Sequence, residues 1–172
     1  DPLWSRGLGD VYKRQLLTYD EALNPQPGLA ERWEVSPDGL RLTFHLRRGV
    51  KWHDGVDFTS ADVQYNVMEV WKKVHSRGRI TFAPVESVET PDKYTAVLKL
   101  AHPSLVILSA LNAVESQLLP RHLYEGTDIY KNPHNLAPVG TGPFKFKEWR
   151  KCQYIALERN PDYWDSGKPL SL

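Results

Sequence analysis

The sequence predicts an α/β fold in which helices flank a mixed sheet. Two patterns of apolar residues lead to this class. Residues 40–47 alternate strictly between apolar and polar side chains, which is typical of a half-buried strand. Residues 63–74 space four valines and a tryptophan as one stripe of a helix with 3.6 residues per turn. At 172 residues, with 41% hydrophobic and 25% charged residues, the chain is long enough for one domain with a sizeable core.

The first pair of strands that the sequence predicts forms a hairpin. Residues 33–35 precede a turn at 36–39, where Pro37 fixes φ and Gly39 accepts a positive φ. The strand after the turn is the partner of residues 33–35. Its apolar face is predicted to consist of Leu40, Leu42, Phe44 and Leu46.

A helix is predicted to begin after Phe58. Thr59 and Asp62 have the spacing of a capping box, in which each residue satisfies a backbone N–H of the other. The apolar stripe then continues to Val74, and Gly78 is expected to end the helix.

The second half of the chain predicts two more hairpins and two short helices. Residues 85–88 and 94–100 pair around a turn at 91–93, and residues 104–111 form a short apolar helix. Another short helix follows Pro120. A last hairpin joins 144–149 to 153–158 with its turn at 150–151, and Cys152 is assigned to a strand.

Several function classes find no support in the residues. The formal charge is +1, from 22 basic and 21 acidic residues, so a nucleic acid or an anionic membrane is not an expected partner. A single cysteine excludes an internal disulfide. The longest apolar run is far below the ~20 residues of a membrane span. Neither the histidines nor the glycines have the spacing of a metal, phosphate or cofactor motif, so none is expected.

Two short motifs are interpreted as structural. His53 and Asp54 are neighbours, and neighbouring side chains of an extended chain point in opposite directions. Residues 52–55 are therefore expected to form a surface turn with Trp52 packed beneath it. The glycines at 140 and 142 are followed by a proline and a strand, which favours a tight turn over a phosphate cradle.

Four sequence blocks in fixed order resemble one protein family. They are PGLAERWEVSPDGLRLTFHLRRGVKWHDG at 27–55, FTSADV at 58–63, GTGPFKFKEW at 140–149 and ERNPDYWDSGKP at 158–169. Together they resemble the N-terminal lobe of the extracytoplasmic solute-binding proteins of family 5, which serve peptide and nickel importers. The resemblance covers residues 16–172.

The resemblance implies a binding protein and not an enzyme. It implies part of the N-terminal lobe of a two-lobe, type II periplasmic binding protein that closes on its ligand by a hinge motion. The expected partners are a peptide ligand and the membrane permease of an ABC importer. The expected location is periplasmic or otherwise extracytoplasmic, with or without a lipid anchor. Nickel chelates, haem and oligosaccharides remain as other ligand classes.

The resemblance also indicates where the ligand would bind. The family uses the segment after the capped helix and the segment after the apolar helix. In this chain the corresponding candidates are Arg79, Phe82, Asn112, Val114 and Glu115. Two alternatives from other classes stay open: a small hydrolase that uses a His–Asp pair, and a free-standing interaction module.

The start of the sequence looks unlike the family, and its end falls where the family continues into a second lobe. Residues 10–15, DVYKRQ, resemble the translation of a transposon end, so residues 1–15 are expected to be a foreign or disordered segment. Residues 16–172 are expected to be a partial N-terminal lobe that lacks the second lobe.

Overall fold

The computed structural model describes residues 15–104, 106–112 and 115–165. Contacts divide the chain into two compact units. The sheet unit comprises Gln15–Arg48 and Thr59–Leu118, and the hairpin unit comprises Gly49–Phe58 and the chain from Leu119 onward. The predicted α/β class is confirmed. All strand pairs in the described ranges are antiparallel, and the parallel pairs of a mixed sheet are not among them.

A four-stranded sheet forms the centre of the sheet unit, and its strands lie in the order 30–35, 41–46, 95–100 and 85–92. The alternation in residues 40–47 is confirmed, since Leu42, Phe44 and Leu46 are buried. The partner predicted for this strand is also confirmed, because Trp33 pairs with Phe44. The strands of this unit are β1 (Leu17–Tyr19), β2 (Pro25–Pro27), β3 (Ala30–Val35), β4 (Arg41–Leu46), β5 (Val85–Asp92) and β6 (Thr95–Leu100).

The capped helix begins where the sequence predicts it. Helix α1 spans Ser60–Tyr65, and the Thr59 N–H donates to Asp62 Oδ2 at 2.9 Å, as a capping box requires. The helix does not stay α-helical to Val74. It continues as a π-helix over Asn66–Trp71, in which the Lys72 N–H reaches back five residues to the Val67 carbonyl at 3.1 Å.

Gly78 begins a helix instead of ending one, so that part of the prediction is wrong. Helix α2 spans Gly78–Thr81. The Gly78 N–H donates to His75 Nδ1 at 3.0 Å, and a Cβ at this position would lie 2.5 Å from the Trp71 carbonyl oxygen. Glycine is therefore required by the close approach of two backbone segments, which the sequence does not reveal. The short apolar helix that follows, α3, spans Val106–Ala110.

The hairpin unit ends in the predicted strand pair, with one correction. Cys152 lies in the turn and not in a strand, with φ at 62° and its thiol exposed. The turn is displaced because the Gln153 N–H closes it on the Arg150 carbonyl at 2.9 Å. The elements of this unit are α4 (Arg121–Tyr124), a 3-10 turn (Pro133–Asn135), β7 (Phe144–Arg150) and β8 (Tyr154–Arg159).

The segment expected to be foreign ends within the described chain. Gln15, its last residue, is buried in the sheet unit, and its carbonyl accepts the Leu29 N–H at 3.0 Å. The rest of that segment, residues 1–14, lies outside the described residues. The described sheet unit therefore begins one residue before the expected boundary.

Candidate functional site

The two predicted ligand segments meet in the sheet unit. Helix α2 contacts helix α3, and Glu115 joins the segments that follow these helices. Glu115 Oε2 accepts the Thr81 hydroxyl at 3.4 Å, and Glu115 Oε1 lies 3.6 Å from Arg77 Nη1. The Glu115 N–H donates to Asn112 Oδ1 at 3.1 Å, so Asn112 holds the backbone that carries the carboxylate. We call Arg77, Arg79, Thr81, Asn112 and Glu115 the α2–α3 surface.

The charged groups of this surface differ in exposure. The Glu115 side chain is 18% exposed, whereas that of Arg77 is 72% exposed. An ion pair with one such exposed partner contributes little to stability, about 0–1 kcal/mol. The ion pair between Arg77 and Glu115 therefore does little to hold the two segments together. The guanidinium of Arg79 is exposed and makes no hydrogen bond or ion pair within the described residues.

Phe82 has a different place from the other candidates. Its ring is fully buried and stacks on Trp71 with 5.0 Å between the ring centroids. Trp71 is fixed in turn, since its Nε1–H donates to the Gln117 carbonyl at 3.0 Å. Phe82 thus supports the α2–α3 surface from the core and shows none of its ring to solvent. Val114, the remaining candidate, lies outside the described residues.

Sequence reasoning did not single out Arg77 or Thr81. Both side chains reach Glu115 from more than 30 positions away along the chain. No periodic pattern links residues so far apart. The available signal was their spacing: Arg77 and Thr81 are four positions apart, so in a helix they lie on the same face.

The turn at residues 52–55 is confirmed as a structural element of the hairpin unit. Trp52 is buried, with its ring 5.8 Å from that of Phe58, and Gly55 has φ at 90°. His53 and Asp54 face different partners, as expected of neighbours. Asp54 Oδ2 lies 2.6 Å from His122 Nε2, a pairing that the sequence did not suggest.

His53 is bound to the glycine loop at 140–142. The Gly140 N–H donates to His53 Nδ1 at 3.1 Å, and His53 Nε2 lies 3.0 Å from the Gly142 carbonyl oxygen. The pKa of His53 is lowered, first by burial and then by the charge of Lys145; the bond to Gly142 and the charge of Asp54 oppose this. The loop leads directly into β7, so its interpretation as a turn before a strand is confirmed.

The hydrolase alternative requires a nucleophile beside His53 or His122, the two histidines nearest Asp54. Among the described residues, neither His53 nor His122 is hydrogen-bonded to a serine hydroxyl or to the Cys152 thiol. Activation of such a nucleophile requires a base within hydrogen-bonding reach.

The described residues show neither a metal cluster nor a membrane-spanning helix. Among them, no three histidine, cysteine or acidic side chains are grouped to hold a metal ion. Nor does any helix of the described ranges have the length and apolar character to cross a membrane.

Comparison with known proteins identifies one family. The profile of the bacterial extracellular solute-binding proteins, family 5 Middle, matches residues 24–171. The oligopeptide-binding protein AppA of Bacillus subtilis is 36% identical over 156 residues, which are 87% of this chain and 28% of that protein. The chain spans less than a third of the length of the curated relatives it matches.

Two solved structures extend this similarity to the fold. NikZ from Campylobacter jejuni, in complex with Ni(L-His), has a TM-score of 0.82 and 31% identity, covering 90% of this chain and 31% of that one. The binding protein AgaA of A. tumefaciens R10, in complex with agropinic acid, has a TM-score of 0.80 and 35% identity, covering 98% of this chain and 36% of that one. These relatives bind chemically different ligands on one fold.

Proposed function

Because this chain belongs to family 5 of the bacterial extracellular solute-binding proteins, we propose that it is part of the substrate-binding component of an ABC importer. The component captures di- and oligopeptides outside the cytoplasmic membrane and delivers them to the permease. The family match over residues 24–171 carries this proposal. The name of the Bacillus relative, an oligopeptide-binding protein, supports peptides as the ligand class.

The α2–α3 surface is the proposed contact with the ligand. A peptide carries a cationic amine, an anionic carboxylate and a row of amide groups. Glu115 offers a mostly buried carboxylate, and Arg79 offers an exposed guanidinium without a partner in the described chain. Charge-assisted hydrogen bonds to such groups are stronger than neutral ones, and amide groups such as that of Asn112 suit a peptide backbone. Val114 remains a proposed contact, and Phe82 is proposed as the support beneath the surface.

Binding without chemistry is the proposed activity. Neither His53 nor His122 is hydrogen-bonded to a serine hydroxyl or to the Cys152 thiol within the described residues, and the family consists of solute-binding proteins. We therefore assign no catalytic residue, and the His–Asp pair that the structure contains, Asp54 with His122, is assigned a structural role. The proposed location is extracytoplasmic, in keeping with the family.

Calorimetry on the full-length gene product tests this proposal. A pool of di- and oligopeptides is expected to bind with micromolar or tighter affinity. Changing Arg79 to alanine should weaken binding by about 10- to 100-fold, which corresponds to the 1.5–3 kcal/mol of a hydrogen bond to a charged group. Arg41→Ala is the matched control, because Arg41 is an exposed arginine of β4 outside both segments.

A second ligand arm separates the peptide assignment from the site assignment. Ni(L-His) is included because NikZ binds it. Tight binding of Ni(L-His) with no binding of peptides would contradict the peptide class. Peptide binding that Arg79→Ala and Arg41→Ala leave equally strong would instead contradict the α2–α3 surface.

A further inference from the structure

His53 connects two segments of the hairpin unit that are far apart in the sequence. Its backbone N–H donates to the Gly140 carbonyl at 2.8 Å, and its ring nitrogens contact Gly140 and Gly142 at 3.1 and 3.0 Å. The Gly142 carbonyl also accepts the Asn160 Nδ2–H at 3.1 Å, which fixes the loop from the other side. One imidazole therefore contributes two of the bonds that hold the turn at 52–55 to the glycine loop.

These bonds specify one protonation state of the ring. A backbone N–H can only donate, so Nδ1 must present a lone pair to Gly140. A carbonyl oxygen can only accept, so Nε2 must carry the hydrogen that faces Gly142. The fitting state is the neutral Nε2–H tautomer. A second proton on Nδ1 would point at the Gly140 N–H and remove that bond.

The charged groups around His53 favour the neutral ring. Lys145 Nζ donates to the His53 carbonyl at 3.3 Å, and its positive charge disfavours an imidazolium. The negative charge of Asp54 favours the protonated ring, but Asp54 Oδ2 lies 2.6 Å from His122 Nε2 and is paired with it.

We propose that His53 is a pH-sensitive latch: the neutral ring holds the turn at 52–55 to the glycine loop at 140–142, and the protonated ring releases it. The direction of the effect follows from linkage. In the unfolded chain His53 has the ordinary pKa of about 6.5, and in the folded chain its pKa is lower. The contribution of the latch to stability is therefore fully present above about pH 6.5 and is lost as the pH falls towards the lowered pKa.

Nitrogen NMR of the chain with labelled histidines and glycines tests the latch. At neutral pH, His53 is expected to be the Nε2–H tautomer with an unprotonated Nδ1. On acidification, the amide signals of Gly140 and Gly142 should move with the midpoint of His53, below the ordinary histidine pKa of about 6.5. Each unit by which the pKa of His53 is lowered in the folded chain corresponds to a tenfold loss in the ratio of closed to open latch on protonation.

Asparagine at position 53 provides the matched variant. Its Oδ1 can accept the Gly140 N–H in place of Nδ1, and it cannot be protonated. His53→Asn should abolish the movement of the Gly140 signal between pH 7 and the His53 midpoint, and His102→Asn should leave it unchanged. A His53 that carries its proton on Nδ1 at neutral pH would overturn the proposal, as would a Gly140 signal that ignores the titration of His53. If His53→Asn does not fold, the titration of the unaltered chain decides alone.

Discussion

Replacement of Gly78 by alanine is the sharpest test of how helix α2 is packed. In an ordinary helix this change stabilises the protein by about 1 kcal/mol, because glycine loses more backbone entropy than alanine on folding. Here the added Cβ would lie 2.5 Å from the Trp71 carbonyl oxygen and 3.2 Å from His75 Cβ. The first of these neighbours is backbone, which cannot rotate away as a side chain can.

The expected effect is a net loss of stability. Overpacking costs about 1–3 kcal/mol, and an approach of 2.5 Å to backbone corresponds to the upper part of that range, about 2–3 kcal/mol. The helical preference of alanine offsets about 1 kcal/mol of it. We expect Gly78→Ala to lower the free energy of unfolding by about 1–2 kcal/mol. For a chain of this length, that loss lowers Tm by about 2–8 °C.

Urea unfolding, followed by far-UV circular dichroism, measures this change. Ser76→Ala is the control, since Ser76 is exposed and two positions away, and its effect should stay within about 0.5 kcal/mol. A Gly78→Ala variant that matches or exceeds the stability of the unaltered chain would refute the close approach of Trp71 and Gly78. It would mean that Gly78 has only the capping role predicted from the sequence.

Three further changes test separate parts of the fold by the same unfolding measurement. Asp62→Ala removes the acceptor of the Thr59 N–H and should cost about 1 kcal/mol; an unchanged midpoint would contradict the capping box. Cys152→Gly should stabilise the chain by about 1 kcal/mol, because a φ of 62° is unfavourable for a residue that has a Cβ. Removing the Cys152 side chain sacrifices no packing, since it is exposed. A destabilised variant would contradict this turn. Phe44→Ala should cost about 3–5 kcal/mol, because the Phe44 ring is fully buried. Its control is Leu23→Ala, which should change stability by less than about 0.5 kcal/mol because the Leu23 side chain is 79% exposed. Similar losses in the two variants would contradict the burial of Phe44.

Elements whose cause is local were predictable from the sequence. The alternation around Phe44 defined a strand and its buried face, since residues two positions apart share a side of the sheet. Thr59 and Asp62 defined the start of α1, because the atoms that form a capping box are three residues apart. The order of four sequence blocks was sufficient for the family, which the match over residues 24–171 confirms.

Features that leave no periodic pattern in the sequence were not predictable. The π-helical segment ending at Trp71 has the same apolar stripe as an α-helix, so periodicity does not distinguish the two. Gly78 was interpreted as a helix end because glycine is common after the last turn of a helix. The close approach of the Trp71 carbonyl, which leaves no room for a Cβ at position 78, becomes visible only in the folded chain. The candidate site was predicted as two segments, but the pairing of Glu115 with Arg77 depends on tertiary contact.

The sequence by itself determined the family, the three hairpins that end in β4, β6 and β8, the capped start of the helix and the segments where a ligand is expected. These follow from spacing along the chain, where each residue is judged against neighbours a few positions away. Only the tertiary structure decided which side chains meet: Glu115 with Thr81, Asp54 with His122, and His53 with the glycine loop. The physical reason is that hydrogen bonds and ion pairs act over about 3–4 Å in space, and residues separated by dozens of positions reach that distance only after the chain has folded.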